Sequence, residues 1–227
     1  MYMIDLTASG VSIVDGGKYD KVCLSGSSDV EGNLECKSFH SSGAHRTKGD
    51  LTCSGDVSVS GSYENKGSVS CDDTFKASGS TKIGGNLKSA YISASGRLSV
   101  GGEVEGEDVI FSGSVEIGGL LNAEKIDINV TDGKISIGSI GGGEITVRPR
   151  REEQQKSRIF GIVASKPRQA VIEDSIEGDV ITLEYVKARS VVGRIVKIGA
   201  NCDIESVQYT ESADISVDAR VNSSEKV

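Results

Sequence analysis

One spacing constrains this chain more than any other. A glycine is followed six residues later by a second glycine at Gly26/Gly32, Gly43/Gly49, Gly61/Gly67, Gly79/Gly85, Gly96/Gly102 and Gly113/Gly119. The leading members are 17, 18, 18, 17 and 17 residues apart. So regular a step implies one short structural unit stacked on itself, each copy touching its neighbours. A stack of that kind binds, spaces or polymerises.

The register extends past the glycines. Two residues after each second glycine stands an aliphatic: Leu34, Leu51, Val69, Leu87, Val104 and Leu121. Two further on stands a small residue: Cys36, Cys53, Cys71, Ser89, Gly106 and Ala123. Alternating apolar pairs follow, such as Phe75/Ala77 and Val109/Phe111, and recur after the leading glycines, as in Thr81/Ile83, Leu98/Val100 and Val115/Ile117. A period of two means strands, because successive side chains point to opposite faces. The segments between them are too short for a helix. The reading is all-β, a β-solenoid of about 17–18 residues per coil, with coils about 4.8 Å apart. Corner glycines are expected to supply the left-handed backbone of tight bends. Ile83, Leu87, Val100, Val104, Ile117 and Leu121 are expected to point inward on stacked ladders. Aromatics are only 4% of the residues and tryptophan is absent, which suits a narrow aliphatic interior.

The organisation expected is repeats over 1–147, a basic linker or insertion over 148–170, and further coils and a tail over 171–227. The repeat fades after Gly119, and residues 148–170 carry seven Lys/Arg against two Glu, a net of +5. With a total of −8, the remainder carries −13, which argues against nucleic acid as a partner. Within the insertion Ile159, Phe160, Ile162 and Val163 form an apolar cluster flanked by Arg158 and Lys166. Such a cluster is a candidate contact with an anionic membrane surface, or a segment that folds back on the stack. From Ala170 onward strands resume at a spacing nearer 15–16 residues. This interrupted extension reads as about three further coils, stacked on the first series or packed beside it.

Five cysteines stand at 23, 36, 53, 71 and 202. Three of them share one coil position, so Cys36, Cys53 and Cys71 read as small apolar rungs, buried and reduced. No CxxC pair suggests zinc. The N-terminus shows no basic and apolar run of a secretory signal, which points to the cytoplasm.

No catalytic, metal or cofactor-binding constellation emerges. His40 and His45 lack a paired base or nucleophile in the sequence and read as surface residues. The aliphatic–glycine hexad of acyltransferase solenoids appears once per coil rather than three times. Carboxylates are scattered over outward strand positions, and no phosphate-cradling Gly-x-x-x-x-Gly-Lys-Ser/Thr loop exists. The expectation is a protein that is not an enzyme and holds no cofactor.

Segments such as Ser78-Gly-Ser-Thr-Lys-Ile-Gly-Gly-Asn-Leu87 and Ser112-Gly-Ser-Val-Glu-Ile-Gly-Gly-Leu-Leu121 resemble the coils of bactofilins, bacterial polymer-forming cytoskeletal proteins. The stretch from Ile181 to Ile204 resembles the C-terminal part of the longer members in spore-forming Gram-positive bacteria. The resemblance covers roughly 20–147 and 171–220 and rests on a distributed pattern. It implies a right-handed β-helix that assembles end to end into filaments without nucleotide. It also implies a scaffold near the membrane that serves cell shape, envelope synthesis or motility and recruits other proteins.

The residues support self-association independently. The last coil of a solenoid leaves backbone groups without a partner, and such an edge must be capped or paired. The candidate assembly ends are Val11, Ile13 and Val14 at one terminus and Ile204, Val207, Ile215 and Val217 at the other. Alternatives are a β-solenoid carbohydrate-active enzyme or adhesin, and a monomeric binding rod.

Overall fold

A computed structural model describes residues 4–150 and 167–227. The chain is all-β, a β-solenoid of about 12 turns, as the repeat predicts. Among the described residues there is no helix. The chain divides into two compact units. The first comprises Met1–Val109 with Glu116–Gly119, and the second Ile110–Val115 with Leu120–Val227.

Unit 1 begins with β1 (Leu6–Ala8), β2 (Val11–Lys18), β3 (Lys21–Cys36) and β4 (Ser38–Thr47). It continues with β5 (Leu51–Cys53), β6 (Val57–Asn65), β7 (Val69–Cys71), β8 (Thr74–Ile83), β9 (Leu87–Lys88) and β10 (Tyr91–Val100). Its described pairings are parallel, and equivalent positions meet. Leu34 lies opposite Leu51, Leu51 opposite Val69, and Val69 opposite Leu87. The inward ladder expected from the sequence is present: Ile83, Leu87, Val100, Val104 and Ile117 are all buried. Leu121, in unit 2, is buried too.

The two glycines of each pair do different work. The leading ones stack in register, Gly26 on Gly43 on Gly61 on Gly79 on Gly96. Gly43 has φ +117°, and a Cβ there would strike the Gly26 carbonyl oxygen. Left-handed backbone and close approach both demand glycine. The second glycines depart from expectation. Only Gly32 of that set has a left-handed φ (+94°). Gly67 is glycine because a Cβ there would strike Asp50 Oδ1. That carboxylate belongs to a ladder of side chains folded over the corner. Asn33 Oδ1 accepts the Asp50 amide (2.9 Å) and Asp50 Oδ1 the Ser68 amide (2.7 Å). Ser68 Oγ accepts the Asn86 amide (3.1 Å) and Asn86 Oδ1 the Glu103 amide (3.0 Å). Each coil thus caps a donor of the next, which keeps the corners in register.

β11 (Val104–Asn129) spans the division between the units, and unit 2 then holds β12 (Ile135–Arg148), β13 (Ala170–Ile172) and β14 (Ser175–Leu183). β15 (Val186–Ile198), β16 (Asp203–Ile215) and β17 (Arg220–Lys226) complete it. The C-terminal strands stack directly on β12: Ile137 pairs with Ile172, and Ile145 with Ile181. Ile140 lies opposite Ile176, a step of 36 where one coil needs about half that, because the basic insertion intervenes. Later steps vary. Ser175 meets Ser190 after 15 positions and Asp203 meets Arg220 after 17. A register shift in the β15–β16 pairing between Gly193 and Ile195 absorbs one extra residue.

Candidate functional site

The sequence pointed to the terminal coils as assembly surfaces. In unit 1, β2 pairs with β3 on one side. Val11 lies opposite Ser27 and Ile13 opposite Asp29, both outward positions. Val11 and Ile13 therefore project sideways from the first coil, 92% and 77% exposed. They stand where later coils carry Ala44 and Arg46, then Ser62 and Glu64. Val14 faces inward opposite Val30 and is half-buried. The structure thus brings Val11 and Ile13 together on one face and turns Val14 into the interior.

At the other terminus the expectation needs correction. Ile204 and Val207 are fully buried. They are covered because β17 adds a further coil, placing Val221 opposite Ile204 and Ser224 opposite Val207. Ile215 is half-buried opposite Ile198, and Val217 is 98% exposed in the turn before β17. The last described coil is therefore Arg220-Val-Asn-Ser-Ser-Glu-Lys226, a polar strand. It escaped sequence reading because it lacks apolar alternation. The candidate membrane residues Ile159, Phe160, Ile162 and Val163 lie outside the described residues.

The interior of unit 1 holds chemistry that was not anticipated. His45 is buried, contrary to the surface reading; His40 is exposed, opposite Cys23. The His45 Nε2–H donates to the Ser42 carbonyl (2.8 Å), because a carbonyl can only accept. In the neutral imidazole Nδ1 is then the acceptor, and the Ser28 hydroxyl donates to it at 2.6 Å. Both residues are at most 4% exposed, so the pair ties adjacent coils together from within. Register explains the clustering. The inward column reads Ser28, His45, Tyr63, Thr81 and Leu98 on successive coils. Tyr63 hydroxyl bonds Thr47 Oγ1 (3.1 Å) and donates to Asn65 Oδ1 (3.3 Å), and burial pushes its acidity down. The residue types were visible in the sequence, but their shared column required the exact coil lengths.

A second column holds the small residues. Cys36, Cys53 and Cys71 are consecutive rungs, all buried and free of disulfides. The Cys71 thiol donates to Ser89 Oγ (3.1 Å), and burial raises it to about 11. Cys53 Sγ donates to the Asp56 carbonyl (3.4 Å), and its contact with Cys36 lowers Cys53 and raises Cys36. Among the described residues no three His, Cys, Asp or Glu side chains are grouped to hold a metal ion.

Outward faces carry complementary charge. Arg46 Nε donates to Glu64 (2.9 Å), and Lys66 approaches the same carboxylate at 2.6 Å. The two cations hold Glu64 down at about 2. No helix among the described residues is long and apolar enough to cross a membrane.

No family model matches the chain, and no solved structure matches it. It is similar to the uncharacterized protein YhbE of Bacillus subtilis (strain 168), 32% identical over 107 residues. The similar stretch covers 47% of this chain and 43% of that protein, so it spans less than half of the relative's length.

Proposed function

We propose that this protein is a structural, self-associating scaffold that assembles through its terminal coils into filaments without bound nucleotide. The observation that carries the reading is the edge of the first coil. β2 has its described pairing with β3 alone, and beside that edge Val11 and Ile13 stand in solvent. An edge with unpaired main-chain groups and adjacent apolar side chains is a template for another chain. The repeated interior supports the same reading, since stacked coils provide length and stiffness rather than an enclosed site. The bactofilin-like coils extend the proposal to a cytoskeletal role in the cytoplasm, near the membrane, in support of cell shape, envelope or motility, with other proteins recruited.

Negative-stain electron microscopy and sedimentation of the purified chain, without ATP or GTP, test this directly. Filaments or a ladder of oligomers are expected. Val11→Glu/Ile13→Glu together should stop growth at a small species while circular dichroism stays unchanged. A wild-type chain that remains monomeric at high concentration across a range of salt would sink the scaffold and leave a monomeric binding rod.

A further inference from the structure

We propose that Cys36 and Cys53 form a peroxide-sensitive pair that closes into a disulfide between neighbouring coils. Three observations carry it. First, the two residues are register partners on adjacent parallel strands: Leu34 meets Leu51, Glu35 meets Thr52, and Cys36 meets Cys53. Coils about 4.8 Å apart bring such partners inside the Cα separation of roughly 4.4–6.8 Å that a disulfide spans. Second, the two sulfurs lie within reach of one another across the rung, and Cys53 Sγ donates to the Asp56 carbonyl (3.4 Å) rather than to Cys71. Third, the remaining neighbour is turned away. Cys71 is also in register with Cys53, but its thiol is committed to Ser89 Oγ, which in turn donates to the Asp73 and Tyr91 carbonyls.

The shared contact also biases which sulfur attacks. The hydrogen bond from Cys36, and then the Gly55 amide, lower Cys53 below an ordinary thiol, so it is the more readily deprotonated of the two. Cys71 and Cys202, held at about 11 chiefly by burial, stay protonated. Cys53 thiolate attacks one oxygen of hydrogen peroxide. An S–O bond forms, the O–O bond breaks, and the departing hydroxide takes up a proton as water. The Cys36 sulfur then attacks the Cys53 sulfenic acid. The S–S bond forms, the S–O bond breaks, and a second water leaves with the Cys36 proton. Two thiols give up two electrons and one peroxide accepts them. Both residues are buried, and peroxide, little larger than water, suits such a site better than a bulky disulfide reagent.

The exposed Cys23 serves as an internal reference. The full chain is treated with hydrogen peroxide, alkylated and mapped as non-reduced peptides. The expected product is a linked Cys36–Cys53 peptide lighter by two hydrogens and reversed by dithiothreitol. Its rate of formation should fall from pH 8 to pH 6, as the attacking thiolate is protonated. Cys71→Ser should leave the link intact. Cys53→Ala, which introduces the residue found at position 123 of the same register, should abolish it. Circular dichroism of each variant confirms the fold. Oxidation confined to Cys23, a Cys53–Cys71 link, or a Cys36–Cys53 link formed equally fast in urea would overturn the proposal.

Discussion

The two units stack strands in the same way but fill their interiors differently. Of the buried polar residues, Ser28, Ser41, His45, Thr47, Asn65, Thr81 and Ser89 lie in unit 1, while unit 2 has Asn129. Unit 1 also buries Phe39 against Tyr63, with ring centroids 5.4 Å apart, and three of the cysteines. Unit 2 is lined by Ile and Val, as in the rungs Ile140–Ile176–Val191 and Ile145–Ile181–Val196. The corners differ in the opposite sense. Unit 1 has the stacked left-handed glycines and the Asn33–Asp50–Ser68–Asn86 ladder, and its steps stay near 17–18 residues. Unit 2 has shorter and uneven steps, with Tyr185 and Asn201 as non-glycine residues at left-handed φ. Corner devices hold register in unit 1, which frees its interior to carry polar groups. In unit 2 the continuous aliphatic column has to hold register, because a slipped strand would expose it.

The largest expected effect comes from breaking that column. Ile181→Asp would bury a carboxylate among Ile145 and Val196 with no cation in the column, at a cost of several kcal/mol. Amide hydrogen exchange should show protection lost across β14 to β16 while β4 to β8 remain protected. Equal loss in both units would mean that they do not respond separately.

A smaller effect tests the polar interior of unit 1. Tyr63→Phe removes the hydroxyl that joins Thr47 to Asn65, and a loss of about 1–2 kcal/mol is expected in urea denaturation. A neutral result would show that the network contributes nothing beyond packing.

The smallest effect has the opposite sign. Thr81 is buried and its Oγ1 has no hydrogen-bond partner among the described residues. Thr81→Val keeps the shape and removes the stranded hydroxyl, so stability should rise by up to about 1 kcal/mol. Destabilisation would mean that an ordered water satisfies this hydroxyl, making unit 1 wetter inside than its protein contacts indicate.

By itself the sequence determined the class of fold, the coil length and the inward ladder. Those follow from glycine spacing and from period-two alternation, which are local and repeat many times. It also named Val11, Ile13 and Val14 as one candidate assembly end, but that Val11 and Ile13 stand where other coils carry Ala, Ser or charge, and that Val14 turns inward, came from the register. Tertiary structure alone decided the rest. Gly49, Gly67, Gly85 and Gly102 make room for a side chain of the previous coil, and a clash with a residue in another coil leaves no local trace. β17 pairs through main-chain bonds that any residue can make, so Arg220-Val-Asn-Ser-Ser-Glu-Lys226 carries no strand pattern, and its presence covers Ile204 and Val207. His45 is inside because a parallel register with a step of 17 sets it against Ser28, and a partner there satisfies the imidazole. Cys36 and Cys53 were visible as rungs of one column. That the Cys71 thiol turns to the hydroxyl of Ser89, one coil further on, and so away from Cys53, only the structure decides.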